Sequence, residues 1–279
     1  MTTPRLQRIW TASEPLVEAR ALKKHFVPDA RSRGRGADVV RAVDGVDLAL
    51  MQGETLALCG MPGSGKSTLA RTLLRLYEPT SGQVFFRGED LSRIPRRGLR
   101  ALRREMAMVF QDPVDSINPR QTLGEVLREP LAAHGIGSEG ERDERVVELL
   151  VLVGVSPEAV NRYPHQFSAG QRQRIALARA LACDPSFVVL DEPLAALDAA
   201  GRGYMLDLLQ RLQAKRKLTY LLICNDPDAV SRAADRVAVM AGGRLVDQGT
   251  PDDVLPRHPQ LNVTPLPART SLHVVRPRL

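Results

Sequence analysis

The stretch GMPGSGKST, residues 60–68, restricts the fold of this chain more than any other feature of its sequence. It has the spacing G-x-x-x-x-G-K-[ST] and lies between ETLALCG, an apolar strand pattern, and KSTLARTLLRLYEP, a helical pattern. Backbone N–H groups of such a loop can surround a polyphosphate at the N-terminus of the helix, where the helix dipole also favours an anion. A glycine-rich turn without a ligand is the alternative, and the flanking strand and helix argue against it.

The residue types in this loop predict how it would hold ATP. Lys66 would reach the β- and γ-phosphates, and the Ser67 hydroxyl would be a ligand of Mg²⁺. Backbone N–H groups from Gly63 onward would surround the phosphates. The predicted ATP-binding residues of the loop are Gly60, Met61, Pro62, Gly63, Ser64, Gly65, Lys66, Ser67 and Thr68.

A second motif, FVVLDEP at residues 187–193, places two carboxylates at the end of an apolar strand pattern. Asp191 could hold Mg²⁺, generally through water, and Glu192 could act as general base towards a water that attacks the γ-phosphate. Taken alone, the pair could be an ordinary turn at a strand end. The phosphate-binding loop earlier in the chain favours the catalytic interpretation.

The order of strand and helix patterns predicts an α/β core. Continuous apolar runs in FVVLDE and LTYLLIC are typical of strands buried on both faces, and helical patterns separate them. The ligand of such a parallel sheet is expected at the carboxyl ends of its strands. Residues from about 113 to 167 show helical stretches and are predicted to form an inserted subdomain. The Pro-rich residues 257–279 are predicted to be a flexible tail.

Composition restricts the function classes further. The formal net charge of +7 favours an anionic partner, which could be nucleotide, nucleic acid or a membrane surface. No apolar run approaches the roughly 18 to 20 residues that span a bilayer, and the N-terminus lacks an apolar signal-peptide region, so a membrane role would require a partner. Cys59, Cys183 and Cys224 lack CxxC spacing and are predicted to be buried thiols in a reducing cytoplasm.

Three stretches together resemble the ATP-binding subunits of ABC transporters: VFQDP at 109–113, FSAGQRQRIALARAL at 167–181 and DEPLAALD at 191–198. The resemblance covers roughly residues 15–256 in uninterrupted order. It implies the fold of a P-loop NTPase of the ABC type, α/β with a parallel core sheet, an N-terminal antiparallel β-subdomain and an inserted α-helical subdomain. It also implies that two such domains pair head to tail, with each ATP between the phosphate loop of one chain and the signature helix of the other.

The resemblance implies roles for further residues. Gln111 matches the glutamine that touches Mg²⁺ and the attacking water, and Asp198 matches an aspartate that helps to join the two chains. Phe26 matches an aromatic residue that stacks on adenine, although a lone Phe that closes a strand is more often part of the core. The signature residues that would face the partner's nucleotide are Ser168, Ala169, Gly170 and Gln171. A capped amphipathic helix without a ligand is the alternative for that stretch.

Within the family, FQDPVDSINPRQTLGEVLREPL and RYPHQFSAGQRQRIALARAL look most like the peptide and nickel importers. That likeness implies integral membrane permease subunits, an external solute-binding protein and a second ATP-binding subunit, with a heterodimer expected and a homodimer as the alternative. The chain would then lie at the cytoplasmic face of the membrane and bind no nucleic acid. Where relatives commonly carry HPYT, this chain has only RHPQLNVTP. A soluble ABC ATPase that acts on nucleic acid, and a binding subunit with negligible turnover, are the alternatives.

Four residues depart from the family pattern, and Asn225 has the largest expected effect. Pro62 removes an N–H from the loop, Ala169 replaces a signature glycine, and Ala195 replaces a serine at the dimer seam. Asn225 stands where the family has a histidine that contacts the γ-phosphate. An amide cannot titrate, so if the histidine is an acid–base or charge-stabilising group, its loss would cost about 10²- to 10⁴-fold in rate, whereas the loss of positioning alone would cost less. The alternative is that Asn225 caps a helix beginning at Pro227.

Overall fold

The computed structural model describes residues 14–27, 38–112 and 117–262, and its strands form two sheets. In chain order the strands are β1 (Val17–Phe26), β2 (Val40–Leu50), β3 (Thr55–Cys59), β4 (Ser81–Phe86), β5 (Glu89–Asp90), β6 (Met106–Val109), β7 (Phe187–Asp191), β8 (Thr219–Ile223), β9 (Arg236–Ala241) and β10 (Arg244–Gly249). The first sheet is antiparallel, with the order β2-β1-β4-β5. The second has the order β10-β9-β3-β8-β7-β6, and all its strands except β10 run parallel.

The second sheet is the predicted α/β core. The strands β3, β7 and β8 are buried at every position, which explains why their sequences are apolar apart from one terminal residue each and show no alternation. In the first sheet, β1 mixes buried and exposed positions, as expected for a strand with one solvated face. The parallel core sheet and the antiparallel β-subdomain of the predicted fold class are therefore confirmed.

The α-helices pack on both sides of the core sheet, and two of them, Leu123–Ala133 and Glu139–Leu152, form the predicted helical subdomain. In chain order they are α1 (Lys66–Leu73), α2 (Arg96–Leu102), α3 (Leu123–Ala133), α4 (Glu139–Leu152), α5 (Ala169–Ala180), α6 (Ala199–Arg216), α7 (Pro227–Ala233) and α8 (Pro251–Val254). Capping boxes fix the starts of α3 and α4, where Thr122 pairs with Glu125 and Ser138 pairs with Glu141. These T-x-x-E and S-x-x-E patterns are local signals, so the subdomain could be recognised from the sequence.

Alternate residues of the core strands enter two different hydrophobic cores. Ala57 and Leu190 face the core that also contains the helical subdomain, whereas Leu56 and Val189 face the core shared with the β-subdomain. The sheet is thus the common wall of both subdomains. Any loop at the carboxyl ends of its strands is held by packing from two sides.

Three sequence predictions are corrected by the structure. The tail does not begin at residue 257, because Leu261 is buried in the core and His258 Nε2 lies 2.9 Å from Asp247 Oδ2; residues 263–279 lie outside the described residues. Cys59 and Cys224 are buried, but Cys183 is only half-buried. Helix α1 stops at Leu73, well before the end of its helical sequence pattern.

No helix among the described residues is long and apolar enough to cross a membrane.

Candidate functional site

The candidate site lies at the carboxyl ends of the adjacent strands β3, β8, β7 and β6. The strand register brings the strand ends together, since Ile223 pairs with both Leu58 and Asp191, and Val109 pairs with Leu190. The chain leaves these strands into loop 60–68, Asn225, Glu192 and Gln111 respectively. Four segments that are far apart in the sequence therefore meet at one edge of the sheet, as the parallel topology predicts.

Two positions in the loop require glycine for steric reasons. Gly60 has φ +148°, and a Cβ there would lie 2.2 Å from the carbonyl oxygen of Met240. Gly65 has φ +107°, and a Cβ there would lie 1.9 Å from the carbonyl oxygen of Ala42. The loop is thus pressed against β9 and β2, and only glycine permits this close approach.

Lys66 is the buried cation of the loop. Its side chain is 6% exposed, and Nζ donates to the carbonyl oxygens of Gly60 at 2.5 Å and Met61 at 3.1 Å. Burial lowers the pKa of the Lys66 ammonium from its ordinary value, an effect that Glu192 opposes. Helix α1, which Lys66 begins, has no side-chain cap. A cation and an uncapped helix N-terminus at one point make a site suited to an anion.

Ser67 and Asp191 form the oxygen-rich part of the site. Ser67 Oγ donates to Asp191 Oδ1 at 3.0 Å, and Asp191 is 1% exposed. Among the described residues no group donates a hydrogen bond to Asp191 Oδ2, although Arg71 Nη2 lies 3.8 Å from it. A buried carboxylate oxygen without a donor, beside a hydroxyl, fits a hard divalent cation such as Mg²⁺. Arg71 was missed in the sequence, although its position one helical turn after Ser67 was a usable signal.

Replacing Asp191 with Asn should raise the melting temperature of the nucleotide-free chain at pH 7. Burial raises the pKa of the Asp191 carboxyl above its unfolded value, so folding disfavours the ionised form and the cost grows as the pH rises through the folded pKa. The neutral amide avoids that cost. Calorimetry at pH 7 and at acidic pH should show the difference in melting temperature shrinking on acidification. A variant that melts below the wild type at pH 7 would contradict this account.

Glu192 is held in an uncommon backbone conformation. Its φ is +48°, a left-handed value that costs a residue other than glycine about 1 to 3 kcal/mol, and its N–H donates to the carbonyl oxygen of Ile223 at 3.0 Å. Gln111 Nε2 donates to Glu192 Oε2 at 2.9 Å. Burial raises the pKa of Glu192, which suits a carboxylate that accepts a proton. The structure thus brings Gln111 and Glu192 together.

Asn225 does not cap the helix after it, contrary to the alternative considered for this residue. Asp226 is the N-cap of α7 because it directly precedes Pro227 at the first helical position, and its Oδ1 accepts from the N–H groups of Asp228 and Ala229 at 3.1 and 3.2 Å. Asn225 is half-buried, and its Oδ1 accepts from the N–H of Gly60 at 3.0 Å. The Asn225 side chain therefore contacts the phosphate-binding loop directly.

The signature residues line a different cleft. Ser168 caps α5, accepting from the N–H of Gln171 at 3.2 Å while Gln171 Oε1 accepts from the N–H of Ser168 at 2.9 Å. Asp198 is exposed and caps α6 by accepting from the N–H of Gly201 at 2.8 Å. Together with Ala169 and Gly170 these residues line a cavity of about 400 Å³ that loop 60–68 does not line. Their role towards a partner's nucleotide stays a prediction.

Phe26 belongs to the surface and not to the core. Its side chain is 38% exposed, and its ring contacts the ring of Tyr77 edge to face at a centroid distance of 5.7 Å. Lys24 Nζ lies 5.0 Å from the centre of the Phe26 ring. Adenine stacking by Phe26 stays a prediction, and Tyr77 is an aromatic neighbour that sequence reasoning missed.

Comparisons with known proteins find a matching family model and several similar proteins. The ABC transporter family model matches residues 43–195. The chain is 44% identical over 235 residues to the oligopeptide transport ATP-binding protein AppF of Bacillus subtilis, which covers 84% of this chain and 71% of that protein. It is 44% identical over 263 residues to OppF of the same organism, covering 91% and 84%. It is 41% identical over 251 residues to the dipeptide transport ATP-binding protein DppF of Escherichia coli, covering 89% and 75%.

Solved structures with the same fold include ATP-binding cassettes. A dimeric post-hydrolysis state of the cassette MJ0796 bound to ADP and Pi superposes with a TM-score of 0.75 at 26% identity, covering 84% of this chain and 98% of that one. CbiO1 of Clostridium perfringens, part of the ABC transporter complex cbiONQ, superposes with a TM-score of 0.76 at 28% identity, covering 88% and 92%.

Proposed function

This chain belongs to the ABC transporter family, and from that premise we propose that it is the ATP-binding subunit of a peptide importer. The observation that carries the proposal is the convergence of loop 60–68, Asp191 and Glu192 around the buried Lys66. The relatives' names favour oligopeptides or dipeptides over nickel as the transported solute. In this role ATP is bound and hydrolysed while partner subunits carry the solute.

Each residue of the site has a separate task towards ATP. The Lys66 ammonium leaves the loop carbonyl oxygens and neutralises the β- and γ-phosphates. The phosphate oxygens also accept hydrogen bonds from the backbone N–H groups at the start of α1. Glu192 accepts the proton of the attacking water, and Gln111 orients the Glu192 carboxylate through their hydrogen bond. Ser67, Asp191 and Gln111 are the groups that would hold Mg²⁺, which supplies charge neutralisation at the phosphates when bound.

The signature cleft is proposed to act on a second ATP-binding subunit. Ser168 caps α5, and Ala169, Gly170 and Gln171 begin it. Because the N–H groups of Ser168 and Gln171 bond within the capping box, the N–H groups of Ala169 and Gly170 and the helix dipole would face the γ-phosphate held by that subunit. Asp198 lies in the same cleft and would contact the partner across the seam. The cassette MJ0796 bound to ADP and Pi, which has the same fold, is dimeric.

The other partners follow from the transport role. The chain would bind integral membrane permease subunits from the cytoplasmic face, and an external solute-binding protein would deliver the peptide to those subunits. A second, different ATP-binding subunit would complete a heterodimer. Nucleic acid has no part in this role.

A second candidate function is a subunit that binds ATP·Mg²⁺ but hydrolyses it slowly. Asn225 favours this function, because its amide lies at the strand end beside Glu192 and accepts a hydrogen bond from the N–H of Gly60. The amide can neither carry a charge nor exchange a proton as an acid–base group does. Pro62 further removes a donor from the exposed tip of the loop. The signature helix of this chain would then serve a partner with a faster site.

Affinity purification of the tagged full-length chain from its native membranes tests the proposed function. Permease subunits and a second ATP-binding subunit should accompany it, and deletion of its gene should abolish uptake of labelled di- or oligopeptides. The wild-type gene should restore that uptake, whereas the Lys66→Ala variant should not. Recovery of nucleic acid or ribosomes in place of membrane subunits would refute the transport role.

A further inference from the structure

We propose that Arg202 is a positioning residue that ties the loop ending at Asp198 to the loop that carries Asn225, and through Asn225 to the phosphate-binding loop. Arg202 lies in the first turn of α6, the helix that Asp198 caps. Its Nε donates to the carbonyl oxygen of Leu197 at 3.1 Å, and its Nη1 donates to Asp226 Oδ2 at 3.2 Å. One planar guanidinium thus holds two loops in a fixed relation.

The second half of the connection runs through the backbone. Asp226 uses its other oxygen, Oδ1, to cap α7, so its side chain is fixed at both ends. Asn225 directly precedes it and accepts from the N–H of Gly60. A shift of the Asp198 loop would move Arg202 and Asp226 together, and the hydrogen bond at Gly60 would change with them.

The chemistry of the pair argues for a local and not a global role. The Arg202 and Asp226 side chains are 40% and 31% exposed, and partly exposed ion pairs contribute little to overall stability. Nevertheless the guanidinium uses two different nitrogens on two different segments. Its contacts therefore fix the relative position of those segments more than they stabilise the fold.

This inference rests in part on the proposed function, since the partner would contact the Asp198 loop. When the two subunits close around ATP, a shift of the Asp198 loop would then change the position of this chain's own phosphate loop. Sites coupled in this way must influence each other reciprocally.

The chain offers a matched control pair on the same two helices. Arg232 of α7 and Asp207 of α6 form an ion pair, and both side chains are 48% exposed. Among the described residues, the hydrogen bond of this pair joins α6 to α7 and involves neither the Asp198 loop nor the Asn225 loop. Removing it reproduces the loss of an interhelical ion pair and leaves the Arg202 connection intact.

Hydrogen exchange and ATP binding of the purified full-length chain test the inference. Arg202→Gln should speed amide exchange at Gly60 and weaken ATP binding, each by about 2- to 30-fold, the usual range for substitutions along a coupling network. Asp226→Asn keeps a good capping residue but removes the charge, and it should give the same result. The double variant should be no worse than either single variant, since both break one interaction.

The controls decide the outcome. Arg232→Gln and Asp207→Asn should leave the Gly60 exchange rate and the ATP affinity within about 2-fold of the wild type, below the changes expected at Arg202. Unchanged exchange at Gly60 in both Arg202→Gln and Asp226→Asn overturns the inference, and so does an equal effect of the control variants. A wild-type chain that binds no ATP would instead sink the proposed function, while the exchange data would still decide the role of Arg202.

Discussion

Replacing Lys66 with Ala should weaken ATP binding by the isolated chain by about 10- to 100-fold, because each hydrogen bond to a charged group contributes roughly 1.5 to 3 kcal/mol. The ammonium is buried, and its present acceptors are the carbonyl oxygens of Gly60 and Met61. Phosphate oxygens are stronger acceptors for it than carbonyl oxygens. Calorimetric titration with ATP and Mg²⁺ measures the change.

The Lys66 prediction has a matched control in Lys215, an exposed lysine near the end of α6. Lys215→Ala changes the net charge equally and should leave ATP affinity unchanged. Lys66→Met, which keeps an unbranched apolar stem of nearly the same length, separates loss of charge from loss of packing and should bind ATP as poorly as Lys66→Ala. An affinity that survives both Lys66 substitutions would place the nucleotide elsewhere.

Replacing Asn225 with His should raise hydrolysis at this chain's site by about 10²-fold or more, the scale of a positioned acid–base group. A neutral imidazole nitrogen can still accept from the N–H of Gly60, so the contact with the phosphate loop need not be lost. The added capacity is a proton or a positive charge beside the γ-phosphate. The measurement is ATP turnover of the complete complex, with the partner's phosphate-loop lysine replaced so that only this site can work.

Three further variants show what the Asn225 result means. Adding Glu192→Gln to Asn225→His should remove the gain, because the gain depends on the general base. Asn225→Ala removes the acceptor of the Gly60 N–H and should weaken ATP binding without raising turnover. If Glu192→Gln abolishes hydrolysis in the wild-type background and Asn225→His does not raise it, then Asn225 is competent and slow hydrolysis is disproved.

The fold was predictable where its signals are local. Apolar runs marked the buried strands, and the glycines of loop 60–68 marked a turn that no other residue permits. The start of the tail was misplaced because Leu261 is a single apolar residue in a polar, Pro-rich context. Its burial depends on the tertiary surface that receives it, which no local pattern encodes.

The site was predictable in its members but not in all its contacts. Parallel topology brings strand ends together, so Asp191, Glu192 and Asn225 were expected to meet. The alternative that Asn225 caps the helix was off by one residue, because Asn225 and Asp226 are both good caps and only the start of α7 distinguishes them. Arg202 was missed because its two acceptors come from segments with no sequence pattern in common.

A comparison of the two half-sites of the complete complex tests the central claim most directly. One complex carries the lysine substitution in the partner's phosphate loop, and the reciprocal complex carries Lys66→Ala in this chain; bound ATP and released phosphate are measured in both. The account predicts that this chain's site fills with ATP but turns over about 10²-fold more slowly than the partner's site. Absence of bound ATP at this site would contradict the proposed function itself, and equal turnover at the two sites would contradict slow hydrolysis by this chain.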